Sequence, residues 1–396
     1  MRSPGAVLAA ATVAQAAVSL VTFGLPAIGP ELRSDYGMSL FELGAVLGAG
    51  VLGSGVALVG AGMLVDRVGS RPAILAGTAL GSLGLVAAAF VPTTWSLFAA
   101  IAVSGVGSSV VPIAGVGALF AVYGPTGRGW ALGVRQMAVP LGGVIAAILY
   151  PTLHAVGGSE LTLLLSALAV AATGVWFALA APQGTRTSTE RIARPFRAIF
   201  AGLGMRRLMA VAACYVVVLS ALLAYAVPSA RAAGHSELTA SAAFFAVNIA
   251  AMLARIVWGK VADGQQGTRR VRTLIEVGAV AMVGAVVFAL ALHGPSPLVV
   301  VAAFAFAFGA LGWNALVYVS AGERVDPTLA ARSVSVAATV VFVLGGVSTP
   351  LLGALADAAG WTTLWVVTAV TAGVGALLAA GLPVPRPTRG EAVRSG

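Results

Sequence analysis

Charge is what this sequence lacks most: 9% of its 396 residues are charged, where a soluble domain carries about a quarter. That scarcity excludes a water-soluble globular enzyme, and it equally excludes a disordered chain, which needs charge to stay solvated. A single cysteine, Cys214, leaves no internal disulfide and no thiolate metal site. The three histidines, His154, His235 and His293, are scattered, and no H-E-x-x-H helix or pair of aspartates within one span is present. Intramembrane proteolysis therefore has no chemistry to work with, and neither a metal nor a cofactor is expected.

What is abundant is apolar surface. Hydrophobic residues make up 59% of the chain, mean hydropathy is +0.99, and there are 50 glycines. This is the composition of a polytopic membrane protein. A crossing needs about 20 mostly apolar residues, and twelve runs satisfy that: 5–30, 40–65, 73–91, 96–123, 130–153, 161–181, 208–230, 238–261, 273–292, 298–321, 333–356 and 361–382. We number them spans 1 to 12. The first follows Arg2 but is too long for the apolar core of a secretory leader, so it reads as a span.

The formal charge of +10 would point to nucleic acid in a soluble protein. Here the arginines sort by side instead. With the N-terminus inside, nineteen of the 23 Lys and Arg fall in inner segments, and only Arg33 and Arg231 fall outside. That asymmetry places both termini in the cytoplasm, and it reads as topology and lipid attraction, with no nucleic-acid partner. The expected location is the inner (plasma) membrane of a bacterium, with the chain acting as a monomer.

The longest hydrophilic stretch divides the spans six and six. The organisation read from this is a first six-helix bundle over 1–182, a cytoplasmic linker over 183–207, a second bundle over 208–383 and a tail over 384–396. Within the linker, Ile192, Phe196, Ile199 and Leu203 alternate with arginines, which suits a short helix lying in the inner interface; a plain basic linker is the competing reading. The halves echo each other. Gly62-Met-Leu-Val-Asp66-Arg67-Val-Gly69-Ser-Arg71 follows span 2, and Gly259-Lys-Val-Ala-Asp263-Gly264 follows span 8.

These features resemble the major facilitator superfamily of secondary transporters: twelve spans, a central loop, and G-x-x-x-D-R-x-G-x-R between spans 2 and 3, with a weaker second copy. The resemblance implies an all-α membrane fold of two pseudo-symmetric six-helix bundles that rock about a central site in alternating access. Asp66 stands at a helix C-terminus, where the macrodipole disfavours an acid, so it must find compensating donors. We assign Gly62, Asp66, Arg67, Gly69, Arg71, Gly259 and Asp263 to a conformational latch rather than to substrate. The competing reading is a tight cytoplasmic turn with solvated charges.

Ionisable groups inside spans are functional candidates, because burying them is costly. Two arginines qualify. Arg255 lies about 12 Å along span 8 from Asp263, and Arg135 about 8 Å into span 5 from Trp130. Aligning the repeats puts Leu58 opposite Arg255 and Thr339 opposite Arg135. Neither arginine is duplicated, so neither is demanded by the architecture of its half. With no carboxylate at similar depth, such a cleft attracts a small organic anion, which arginine grips in two-point fashion. Arg255-Ile-Val-Trp-Gly259 is similar to the span-8 arginine setting of monocarboxylate and oxalate:formate transporters. Gly133 to Gly143, around Pro140, partly resembles the antiporter motif of drug exporters, so drug or metabolite efflux, or a neutral polar solute, stays open as the alternative.

Gln15 and Ser19 on span 1, Asn248 on span 8, Asn314 and Tyr318 on span 10, and Tyr215 on span 7 complete the candidate substrate site. For each of them interhelical hydrogen bonding is the competing role. Glu276, near the inner end of span 9, is the fallback carrier for a co-transported proton. The histidines sit at outer ends, where they would sense external pH or be merely solvated.

Overall fold

A computed structural model of the protein describes residues 3–182, 200, 204–262, 268–326 and 329–384, and every regular element among them is helical. Asp263, the arginine-rich stretch 191–199 and the tail from residue 385 lie outside the described residues. Among the described residues, ten helical segments are long and apolar enough to cross a membrane. Two of these, Trp130–Ala180 and Arg332–Ala380, run 51 and 49 residues, which at 1.5 Å per residue is about 75 Å, more than two bilayer cores. Each is two spans joined by a sharp turn. The first turn falls at Gly157 and Gly158, the second at Gly360, and Gly158 (φ 63°) and Gly360 (φ 80°) occupy the left-handed region that a side chain would strain. The twelve crossings expected from hydropathy are therefore present.

Spans 1–6 pack on one another, as do spans 7–12, and the two bundles meet along two lines: span 2 (Leu40–Val68) against span 11, and span 5 against span 8 (Glu237–Ala262). Close approach along the first line depends on glycine. A Cβ at Gly44 would stand 2.7 Å from the Thr349 carbonyl, and one at Gly48 would stand 2.6 Å from the Gly346 carbonyl. Where lipid is as apolar as the helix, such small-residue contact drives helix association.

Keeping the arginine-derived names for the two faces, the bundles are joined at the outer one. Span 2 begins with a capping box: Ser39 Oγ accepts from Glu42 N, and Glu42 Oε2 accepts from Ser39 N. The next two orphan donors are taken by the opposite bundle, Leu40 N donating to Asp357 Oδ1 (3.1 Å) and Phe41 N to Asp357 Oδ2 (2.9 Å). Tyr225, fully buried, donates to the Thr349 carbonyl (2.6 Å) with its oxygen also beside the Leu40 carbonyl. Past Gly55, which abuts Phe342, the pairing ends: Gly60 and Gly62 face open space, and Val56, Val59 and Met63 are exposed. The inner segments of spans 4 (Val110–Val122) and 10 (Asn314–Glu323) make their main contacts within their own bundles. Spans 2 and 11 thus touch over their outer parts and separate past Gly55 toward the inner face.

Candidate functional site

Span 5 is distorted where the cleft needs it. Its first segment, Pro125–Gln136, gives way at Met137 to a second helix starting at Ala138. Proline at 140 has no N–H to offer the carbonyl four residues earlier, so the Gln136 carbonyl is left without its helical donor. Arg255 Nη1, from the other bundle, donates to that carbonyl at 3.0 Å. One residue before Gln136, Arg135 is buried and donates through Nη1 to Gln15 Oε1 (3.1 Å), while Gln15 Nε2 donates to Ser19 Oγ (3.3 Å). The distortion thus sets a bundle-bridging bond beside a buried guanidinium.

The two arginines share a further property. Each has a buried Nε–H with no acceptor, and among the described residues neither has a carboxylate partner. The acids that pair do so at the ends of the spans: His154 with Asp35 (2.9 Å), Arg272 with Glu276 (3.1 Å), and Arg270 with Glu323. In low dielectric, two unneutralised guanidinium groups create a positive potential that water screens weakly.

Span 10 breaks at the matching depth. Helix Ser296–Ala310 ends, Leu311, Gly312 and Trp313 turn, and Asn314–Glu323 resumes. Indole donors take freed carbonyls: Trp258 Nε1 binds the Phe308 carbonyl (2.8 Å) and Trp313 Nε1 that of Ala310 (3.0 Å). Broken helices facing a cavity are where transporters expose polar backbone. The resumed segment carries Asn314, whose Oδ1 is buried without a donor, and one turn on Tyr318, whose phenol is an electrostatic neighbour of Arg255.

The structure therefore links Arg135, Gln15 and Ser19 on one side of the span 5 distortion and Arg255 with Tyr318 on the other, while Asn314 lies one turn before Tyr318 without a hydrogen bond to either group. Asn248, buried, donates from Nδ2 to its own Phe244 carbonyl (2.9 Å) and lies flat against Gly143 of span 5. Tyr215 stands apart. It is sandwiched between Gly278 and Gly375, inside the second bundle, with its hydroxyl spent on the Leu274 carbonyl (2.6 Å). Glu276 is engaged by Arg272, itself largely exposed, rather than by a cleft residue. At the inner ends, Gly69 (φ 86°) forms the turn between spans 2 and 3, Arg71 Nε donates to the Ala181 carbonyl (3.0 Å), and Asp66 is half-buried and engaged. Arg67 is exposed and Gly259 faces open space.

The contact of Asn248 with Gly143 is testable by itself. A Cβ at 143 would collide with Asn248 Oδ1, so Gly143→Ala should cost about 1–3 kcal/mol, the usual penalty of overpacking. Thermal melting of the purified protein should fall, and the double variant Gly143→Ala/Asn248→Ala should recover most of the loss.

Two six-span bundles, joined at one face and carrying polar residues at broken helices between them, together with the family match that follows, define a membrane transporter that works by alternating access, not an enzyme. The chain belongs to the Major Facilitator Superfamily, whose sequence profile matches residues 10–350. No curated protein matches the sequence. Among solved structures, the inward-open xylose transporter XylE of E. coli superposes with a TM-score of 0.80 at 11% identity, covering 98% of each chain. A bacterial homolog of the human lysosomal transporter Spinster, inward-facing and occupied, gives 0.75 at 16%, covering 94% of this chain and 95% of that one. The human organic anion transporter MFSD10 gives 0.71 at 14%, covering 96% and 100%. At these identities the likeness speaks for the fold alone.

Proposed function

We propose that the protein carries a small organic anion, a monocarboxylate being the simplest, across the plasma membrane of a bacterium, with both termini cytoplasmic and one chain sufficing. The observation that carries this reading is the pair of unduplicated arginines without acidic partners: Arg255, whose Nη1 reaches across to span 5 of the other bundle, and Arg135, held by Gln15 and packed beside Gly115 within the first bundle, each with a buried Nε–H that has no acceptor. A carboxylate supplies the acceptors these groups lack, and charge-assisted hydrogen bonds of this kind are about twice as strong as neutral ones. Gln15, Ser19, Asn314 and Tyr318 add uncharged polar contacts around the guanidinium groups, and the inner turns with Asp66, Arg67 and Arg71 act as the latch that closes when the cleft opens outward. Solved proteins of this fold include a sugar transporter and an organic anion transporter, so the side chains, not the fold, decide between substrate classes.

The test is a thermal-shift panel on purified protein against two- to six-carbon carboxylates, neutral sugars and lipophilic cations. A ligand at a hundred times its Kd adds about 2.7 kcal/mol of apparent stability, so carboxylates should raise the melting temperature clearly and dose-dependently. Lipophilic cations or neutral solutes stabilising best would overturn the anion reading and leave efflux or neutral-solute transport.

A further inference from the structure

Away from the cleft, the outer end of the second bundle holds a cavity of about 200 Å³ between spans 7, 9 and 12. Its walls are kept apart by small side chains, Ala232, Ala233 and Ala289, and its rim carries Trp361, Thr362 and His293. Trp365 lines it too, and is 1% exposed, yet its indole N–H has no acceptor. An unmade bond to a buried donor costs about 1–3 kcal/mol, and tryptophan normally finds a partner for this group when buried. The ring packs perpendicular to Phe288 (centroids 5.0 Å apart) and Phe306 (6.1 Å).

The position of the cavity says where an acceptor would come from. Thr362 and His293 on the rim are exposed, and Leu290 and Val366, about 100° round their helices from Ala289 and Trp365, are exposed aliphatic side chains (70% and 51%), so apolar outward-facing surface lies beside the cavity mouth. Trp365 lies five residues past the Gly360 turn, about 7 Å into span 12. This is the interfacial depth at which tryptophans gather and at which phospholipids carry ester carbonyls flanked by methylenes. We propose that the cavity holds one phospholipid of the outer leaflet by its glycerol-ester region, with the Trp365 N–H donating to an ester carbonyl and the alanine walls enclosing the first methylenes of the acyl chain.

The test is native mass spectrometry of the full chain with dioleoyl phosphatidylglycerol and with its diether analogue, which keeps headgroup and chains but has no ester carbonyl. Wild type should retain one ester lipid about fivefold better than the ether lipid, the ratio one neutral hydrogen bond supplies. Trp365→Phe keeps the ring and should bring that ratio to unity. Ala289→Phe fills the space and should abolish retention of both. Because the ester-to-ether ratio is read within each variant, a general loss of stability does not imitate the result. An unchanged ratio in Trp365→Phe, full retention in Ala289→Phe, or displacement of the lipid by soluble glycerol 3-phosphate would overturn the proposal.

Discussion

Arg255→Ala should lower the transport rate of a small carboxylate into proteoliposomes by about a hundredfold, and abolish carboxylate-dependent thermal stabilisation. The size follows from what is removed. A two-point hydrogen bond between a guanidinium and a carboxylate is worth about 3 kcal/mol, which is about two decades in an equilibrium constant. Two terms act in the same direction. The variant loses the charge that draws the anion in, and it loses the bond to the Gln136 carbonyl that ties span 8 to span 5. Arg255→Lys separates them. It keeps the charge but forfeits the planar fork, so it should restore uptake only in part and should raise the apparent KM more than it lowers the maximal rate. If Arg255→Ala transports carboxylates like wild type, the substrate assignment fails, whereas the fold and the class of protein stand unaffected.

Much of this was legible in the sequence because the bilayer is a demanding solvent. Twelve apolar runs must become helices, since no other open structure satisfies its backbone in hydrocarbon, and repeat comparison singled out Arg255 and Arg135 without any coordinates. The partner of Arg255 was less accessible, because a main-chain carbonyl has no letter in the sequence. Its signal was nonetheless present: a proline inside a span frees the carbonyl four residues earlier, and Pro140 minus four is Gln136. Pro140 stands out in the sequence through the antiporter-like stretch, and in the structure it frees the carbonyl that Arg255 binds. Tyr215 went the other way. A tyrosine in an apolar run can face a cleft or a neighbouring helix, and here Gly278 and Gly375 open a slot for it inside the second bundle. The outer seal was invisible for a third reason, since Asp357 caps a helix 317 residues away in sequence, and periodicity carries no information over that separation.

Asp357→Asn should shift the protein toward its outward-open state. In the observed conformation both carboxylate oxygens accept the first free N–H groups of span 2, where the positive end of the helix macrodipole adds about 0.3–1 kcal/mol at an exposed position such as this one. The contact exists only while the outer ends of the bundles touch. Once they part, water hydrates both partners, so the interaction biases the equilibrium between conformations rather than the stability of either bundle. Asparagine keeps the shape and one acceptor but loses the charge, and an effect of that size moves a two-state equilibrium by up to about fivefold. Like the two arginines, Asp357 is unduplicated. In the same register of the repeats, the counterpart of Asp357 is Leu153, so the architecture of the second half does not require it. In a Cys214→Ser background, spin labels on Ser34→Cys and Ala359→Cys, both exposed at the outer face but on opposite bundles, report the distance directly. The short-distance population that dominates the parent protein should give way to a longer one in Asp357→Asn and return in Asp357→Glu. An unchanged distribution would mean that the glycine contacts between spans 2 and 11 hold the outer face shut without help from the aspartate.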